Sequence, residues 1–559
     1  MSGFRDIAAR AARWCLGEVK NAWLPLVLFH ALLAAAFICG ERTWIDPLET
    51  AFAFTAVFPV TLFIAGAGRI LGNGARWLHP ALFAYIYAMT VADIYSYIAF
   101  RIKPGGELVG ILYSTSWEEI RHFLLSELGL GSFKGIAFAV LFAVPPVACG
   151  ALLARRRYAK CSLRGLAAGV AMCTPFLVSE YAIGTDIAGE MAYFRIPRSC
   201  AAQYTFYAGI GEASAHPDLP DSLSPETAPG AEPVVVFAIG ESATRNRMSL
   251  YGYARETTPA MDARSARGEL VVFRDMLASA FTTARAVSFL CTGATLENPG
   301  NARWTLCAIA RRAGYRTALF SMHQPFGLAN CPELSLFSEC DELRWSTMEF
   351  MKKGINQPDF EKGSLALYDD SVTSACIAEL DGHPEGRECV FVHFYGSHFA
   401  YAPRTPPAEK VFRAGVDGLA PDEARRERES AEYDNSIRYT DKQIERIIAR
   451  LEKDGRPSAL FYISDHGESP ELGKVRVTAS RSVWEIPAFV WFSPSYREAY
   501  PDTVEMFEKA AGAPLQSDQL MPGLCELLRV RDLRRKEPEA DFLSPRFKIR
   551  KPRAVPFPA

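Results

Sequence analysis

The chain has 559 residues and a net charge of −2, with 61 Lys and Arg against 63 Asp and Glu. That length points to more than one domain. The near-neutral balance excludes a nucleic-acid partner held by bulk charge, since such binding is dominated by phosphate neutralisation. Hydrophobic residues make up 49% of the chain but are unevenly spread, with a membrane-like first part and a globular remainder.

Five apolar stretches, at about 22–40, 51–69, 78–100, 134–153 and 165–185, are each long enough to cross a bilayer. Arg5, Arg10, Arg13 and Lys20 precede the first. It carries no small-residue cleavage signature and more spans follow, so it reads as an uncleaved helix. Arg155, Arg156, Arg157, Lys160 and Arg164 fill the connection between the last two, and Arg76 sits between the second and third. Between the first and second, Glu41, Asp46 and Glu49 face a single Arg42. The positive-inside rule therefore puts the N-terminus in the cytoplasm and everything after about residue 187 on the opposite side. Asp93, near the outer end of the third span, is an intramembrane acid and a functional candidate. The loop at 101–133 holds Ser114, Thr115, Ser116, Glu118 and Glu119, and then an apolar-periodic stretch from Ile120 to Leu128. It reads as a capped amphipathic helix on the outer face.

These patterns divide the chain into a five-helix transmembrane domain (1–187), a connector (188–232) rich in aromatic and then Pro, Ser and acidic residues, and a globular domain (233–559). The globular domain alternates apolar strand-like runs with helical patterns. The runs are Val234–Ile239, Thr317–Ser321, Cys389–Phe394, Ala459–Ile463 and Ala488–Phe492, and Glu429 to Glu452 reads as one long helix. Such alternation predicts an α/β sandwich with a mostly parallel sheet. Of 13 cysteines, eight lie beyond the spans: Cys200, Cys291, Cys307, Cys331, Cys340, Cys376, Cys389 and Cys525. An even count in an exported domain predicts disulfides, with Cys331–Cys340 the first choice and Cys376–Cys389 a second.

Two short segments carry most of the chemistry. Gly240-Glu241-Ser242 follows the first run, and Ser464-Asp465-His466-Gly467-Glu468 follows the fourth. Ligands in open α/β sheets gather at the carboxyl ends of strands. One carboxylate from the first segment, with Asp465 and His466 from the second, makes an O/O/N set suited to zinc with a fourth position to fill.

The stretch that follows, Arg247-Met248-Ser249-Leu250-Tyr251-Gly252-Tyr253-Ala254-Arg255-Glu256-Thr257-Thr258-Pro259, resembles the signature of the lipopolysaccharide phosphoethanolamine transferases, membrane members of the alkaline-phosphatase/sulfatase superfamily. The form found here is closest to the core-heptose branch. The resemblance implies a sulfatase-like catalytic domain with Zn2+ on Glu241, Asp465, His466 and a threonine nucleophile. Within Phe281-Thr282-Thr283-Ala284-Arg285-Ala286 it selects Thr283, with Thr282 as the alternative and Ala286 standing where relatives have Ser. Zinc and a helix N-terminus would together activate a hydroxyl that is otherwise a poor nucleophile. His393 and His398, in His393-Phe394-Tyr395-Gly396-Ser397-His398, resemble the family's phosphate-binding segment. Thr115, Glu119 and His398 are implied as substrate-binding, and Tyr433 to Asp441 as a helix packed beneath the site. Many relatives carry a further His after the Asp-His-Gly-Glu motif, but Ser469 to Glu485 contains none, which leaves a second zinc open.

The function implied is transfer of phosphoethanolamine from phosphatidylethanolamine to lipopolysaccharide, on lipid A or core heptose, through a phosphothreonine enzyme. A monomer is expected, multi-pass in the bacterial inner membrane, with its catalytic domain in the periplasm. The added ammonium group would reduce binding of cationic peptides such as polymyxin. Two alternatives are a membrane-tethered sulfatase or phosphodiesterase and a glycerol-phosphate transferase. No Cys/Ser-x-Pro-x-Arg pattern stands near Thr283 to favour the sulfatase.

Overall fold

The computed structural model describes residues 223–299, 304–323, 335–346, 368–472, 480–531 and 541–549, with a helical stretch at 196–201 and a few single positions. The chain divides into two compact units, Met1–Val109 with Glu119–Ala201, and Gly110–Glu118 with Ala202–Ala559. All but isolated positions of the five expected spans lie outside the described residues, as do Asp93, Thr115 and Glu119. No helix among the described residues is long and apolar enough to cross a membrane.

The second unit runs β1 (Val234–Gly240), α1 (Pro259–Ala266), β2 (Leu270–Phe273), β3 (Met276–Leu277), α2 (Thr283–Cys291), α3 (Leu306–Arg312), β4 (Arg316–Ser321), β5 (Glu342–Trp345), α4 (Asp370–Gly382), β6 (Glu388–His393), α5 (Pro421–Asp454), β7 (Ser458–Ser464), β8 (Ala488–Phe492), α6 (Pro494–Ala499), α7 (Pro501–Ala510), β9 (Leu515–Gln516) and α8 (Met521–Leu527). Seven strands form one sheet in the order β2-β8-β7-β1-β6-β4-β5. The pairings of β7, β1, β6, β4 and β5 are all parallel. β8 is antiparallel to both its neighbours and is the one reversed strand of that sheet. The sheet is therefore mostly parallel, in an α/β domain with helices on both faces.

Both faces of this sheet are covered, which explains why β1 and β7 are continuous apolar runs. Val234, Val236 and Ala238 pack on one side with Met261 of α1, Val372 of α4 and Ile437, Ile444 and Ile448 of α5. Val235, Phe237 and Ile239 pack on the other with Val287 and Phe289 of α2, Ile309 of α3, Tyr496 of α6 and Phe507 of α7. Burying each large side chain contributes about 1.5–3 kcal/mol. The central position of β1 puts Glu241, the residue after it, deep in the domain. The long helix starts at Pro421, earlier than its apolar pattern indicates, because Pro is well suited to a first turn and Glu423 caps the backbone N–H of Ala420.

One cysteine expectation needs correction. Cys376 and Cys389 belong to the cores on opposite faces of the sheet, so they cannot pair. Cys331 lies outside the described residues. The thiol that Cys340 meets is Cys307 on α3, with the two Sγ atoms 2.8 Å apart. Peptide mapping of the non-reduced protein, oxidised with a small disulfide such as oxidised glutathione, should link Cys307 to Cys340. Cys307→Ser should abolish the link and lower stability by about 3 kcal/mol or less. A Cys331–Cys340 peptide instead would restore the sequence-based pairing.

Asp441 on α5 accepts hydrogen bonds from the backbone N–H groups of Ala260 (2.8 Å) and Met261 (3.1 Å), and so fastens the start of α1. Burial pushes its carboxyl up to about 7 against those bonds. The folded state therefore holds the proton more tightly than the unfolded chain, whose Asp titrates near ~3.9. Its contribution to stability is greatest below that value and declines as pH rises towards 7. Urea midpoints of wild type, compared with Asp441→Asn across that window, should fall more steeply with pH; parallel profiles would contradict the assignment.

Candidate metal centre

The ends of β1 and β7 lie side by side, with Gly240 opposite Ser464 in the parallel register. Their next residues, Glu241 and Asp465, are thereby brought together from distant parts of the chain. Thr283 is the first residue of α2, after Thr282 in an extended N-cap conformation. Its hydroxyl donates to Glu241 Oε2 at 2.8 Å. His466 Nε2 lies 3.5 Å from Glu241 Oε1 and 3.3 Å from Asp465 Oδ2. Glu241, Asp465 and His466 each offer a ligand atom within 4.8 Å of the others, all three buried.

The backbone around these groups is held by specific bonds. Asp465 Oδ1 accepts from the N–H of Ser242 (2.9 Å) and of His466 (2.6 Å). Ser242 has φ +58°, a left-handed conformation that costs a non-glycine residue roughly 1–3 kcal/mol unless its surroundings impose it. Tyr433 on α5 imposes it from the other side: its hydroxyl donates to the Ser242 carbonyl at 2.7 Å and accepts from Thr244 N–H at 2.9 Å. His466 Nδ1 lies 2.9 Å from the Gly467 carbonyl. A carbonyl only accepts, so Nδ1 carries the proton and Nε2 faces the two carboxylates as a ligand atom.

This donor set fits a zinc-like cation. Burial and the Glu241 charge both push the Asp465 carboxyl well above its ordinary range. Two buried carboxylates this close favour protonation unless a positive charge joins them. Asp465 Oδ2 has no hydrogen-bond partner among the described residues. Two carboxylates and one imidazole bring ligand atoms together, the Thr283 hydroxyl bonds to one of those carboxylates, and oxygen and nitrogen donors of this kind suit Zn2+.

The other sequence candidates take different places. The Thr282 hydroxyl is buried and makes no hydrogen bond among the described residues, so Thr283 is the threonine aimed at Glu241. His393, the last residue of β6, stacks on His323 with ring centroids 4.0 Å apart. His398 falls outside both potential ligand groups found among the described residues. Its Nδ1 donates to the Phe399 carbonyl at 2.6 Å, and its own carbonyl accepts from Arg404 Nε at 2.9 Å. Gly396 has φ +50°, and a Cβ there would meet the Glu241 carbonyl oxygen at 2.8 Å, so glycine is required where this loop crosses the first motif. Asp369 anchors the same loop by accepting from Tyr395 N–H (2.7 Å) and Gly396 N–H (3.0 Å).

The long signature after Glu241 locks the motif to α5. Asp434, fully buried, meets Arg247 at 3.3 Å and Arg255 at 2.8 Å, and accepts from the Tyr253 hydroxyl at 3.0 Å. Thr258 Oγ1 accepts from Leu250 N–H at 2.9 Å. Tyr433, Asp369 and His323 were not singled out from the sequence. Tyr433 stands within a segment read as structural, but only the folded contact shows that it reaches the metal motif.

Residues 233–530 match the Sulfatase family. The chain belongs to the sulfatase family. Within it, the chain is 29% identical over 284 residues to the phosphoethanolamine transferase EptC of Escherichia coli K12, covering 49% of this chain and 47% of that protein. It is 28% identical over 275 residues to the phosphoethanolamine transferase EptA of Helicobacter pylori, with 48% and 49% covered. It thus spans about half the length of the curated relatives it matches. The zinc complex of the C-terminal periplasmic domain of E. coli EptC is similar in structure, with 26% identity, a TM-score of 0.50, and coverage of 59% of this chain and 92% of that one. Full-length EptA of Neisseria meningitidis, an integral membrane protein, shares the fold over 93% of this chain and 95% of its own, with a TM-score of 0.57 at 18% identity.

Among these sulfatase-family features, Tyr433 can be tested by itself. Tyr433→Phe removes both hydrogen bonds while keeping the ring, and should cost about 1–3 kcal/mol of unfolding free energy. It should also weaken zinc retention during dialysis against a mild chelator. Unchanged urea midpoint and zinc retention would show that Ser242 is held without it.

Proposed function

We propose that this chain is a zinc-dependent, membrane-anchored phosphoethanolamine transferase that moves phosphoethanolamine from phosphatidylethanolamine to lipopolysaccharide. The observation that carries this reading is the Thr283 hydroxyl, at the first position of α2, donating to Glu241 at 2.8 Å beside Asp465 and His466. Similarity to the EptC and EptA transferases supplies the substrate class.

Glu241, Thr283, Asp465 and His466 would hold one Zn2+. When bound, that ion stabilises the threonine alkoxide and the charge on the phosphoryl oxygens. The remaining steps belong to this chain's own residues. Glu241 Oε2 orients the Thr283 hydroxyl for in-line attack. Thr283 Oγ1 bonds to phosphorus as the bond from phosphorus to the diacylglycerol oxygen breaks, and diacylglycerol leaves with the proton. An acceptor hydroxyl or phosphate on lipopolysaccharide then attacks the phosphothreonine, its bond to Thr283 breaks, and the threonine regains a proton. The amide groups of the first turn of α2 present partial positive charge to the phosphate throughout. His398, on the loop that Arg404 braces, is assigned to the phosphate or the leaving oxygen. His393 supports Glu241 from β6. Thr115 and Glu119 are assigned to the ethanolamine headgroup, whose ammonium suits a carboxylate.

In the same reading, five N-terminal helices hold the chain as a monomer in the bacterial inner membrane, with its N-terminus cytoplasmic. The sulfatase-like domain stands in the periplasm, where donor and acceptor lipids are both present. The fold likeness to full-length EptA over most of the chain supports this arrangement.

Mass spectrometry of lipopolysaccharide from cells expressing the chain should show a phosphoethanolamine increment, with lipid A and core analysed separately. Thr283→Ala should reduce it by at least ~1,000-fold, as loss of a nucleophile does elsewhere. An increment that survives Thr283→Ala but not Thr282→Ala would move the nucleophile. No increment in either fraction would overturn lipopolysaccharide as acceptor.

A further inference from the structure

Glu241 has two carboxylate oxygens, and they face two different histidines. Oε1 lies 3.5 Å from His466 Nε2, on the side of Asp465. Oε2 lies 3.7 Å from His323 Nε2 and also accepts from the Thr283 hydroxyl. His323 follows the end of β4, and His393 ends β6. These strands are adjacent in the sheet, with Ser321 opposite His393 and His393 opposite Ile239 of β1. The three strand ends thus deliver His323, His393 and Glu241 to one place. Each offers a ligand atom within 4.8 Å of the other two.

We propose that Glu241, His323 and His393 form a second divalent-cation site, distinct from the one at Asp465 and His466 and sharing Glu241 with it as a bridging carboxylate. The inference rests on the proposed first site only through that shared residue. Two imidazoles and one carboxylate make a set that suits Zn2+ and related first-row ions and disfavours Mg2+ or Ca2+, which require mostly oxygen.

Two features of the place bear on cation binding. His393 is only 1% exposed and His323 is largely covered, so the place is shielded from bulk water. Neutral imidazole is the state that ligates metal. The second is that His323 Nε2 donates to the Phe394 carbonyl at 3.0 Å, so this nitrogen carries the ring proton here and metal binding would release it. A bound cation would displace that bond and could take the carbonyl as an additional ligand.

The position also bears on the missing histidine. The stretch from Ser469 to Glu485 offers no imidazole to a second ion. His323 reaches the site from the end of β4, and a second ion would be held by it together with His393 and Glu241. A second positive charge there would strengthen the site's attraction for a phosphate dianion or diester without any further basic side chain.

Zinc content separates this proposal from the first site. The full-length chain, purified in detergent and equilibrated with buffered zinc, should carry about two zinc ions by elemental mass spectrometry, one per ligand group. His323→Ala and His466→Ala should each retain about one, and the double variant about none. His323→Gln, which keeps a polar side chain of similar reach, should also lose one ion and guards against misfolding of the Ala variant. Cobalt substitution adds a second readout: the visible absorption of the wild type should contain two components, of which His323→Gln removes one. One zinc in wild type that is lost in His466→Ala but untouched by either His323 variant would overturn the second site and leave the proposed transferase centre intact. Zinc that is lost with His323 but unaffected by His466→Ala would overturn the first site instead.

Discussion

Two buried carboxylates from distant parts of the chain, Glu241 and Asp465, meet at the ends of neighbouring parallel strands, and their mutual repulsion is the constraint the rest of the domain is arranged around. Asp465 is pressed well above its ordinary titration range by burial and by its partner's charge. Such a pair persists only if the backbone is held rigidly and a cation restores the balance. β1 and β7 provide rigidity through continuous parallel pairing between two packed faces. Backbone amides and the Thr283 hydroxyl provide partial charge. The imidazole of His466 completes a donor set whose purpose is a metal.

Around that pair the chain builds three supports from different directions. α5 reaches up with Tyr433 to fix Ser242 and Thr244, while Asp434 gathers Arg247, Tyr253 and Arg255 from the signature that follows Glu241. The loop after β6 crosses above Glu241 with its glycine, and Asp369 pins that crossing. α2 aims its N-terminus at the carboxylates. The chemistry of the signature segment is thus mostly structural: its arginines and tyrosine satisfy one buried aspartate and do not face the metal residues.

The strands that matter were legible because parallel, doubly covered strands leave a plain apolar trace, as in Val234–Ile239 and Ala459–Ile463. The meeting of Glu241 with Asp465 and His466 was legible because each motif sits where such a trace ends. Several features were not. β2 and β5 are short edge strands, and the Glu342-Leu343-Arg344-Trp345 sequence of β5 carries no apolar run. The reversal of β8 leaves no mark in its composition. Cys340 faces Cys307, a partner far away in sequence, because α3 packs beside β4, and short-range spacing cannot report that. Thr282 and Thr283 are chemically equivalent as letters; they separate only when the helix starts and one hydroxyl turns towards Glu241. His323 is a single histidine without a motif, visible only once β4 and β6 are neighbours.

The alternation of β1 has a consequence for folding fidelity. Its odd and even residues feed two separate cores, and the residue after its end supplies the carboxylate that the site is built on. Slipping this strand by one position would present Val235, Phe237 and Ile239 to the space shaped for Val234, Val236 and Ala238, and would send Glu241 away from Asp465. One packing error would thus overfill one core, empty the other and dismantle the metal centre at once. Quality control of the fold and assembly of the site are therefore one event, and metal occupancy reports on correct strand register.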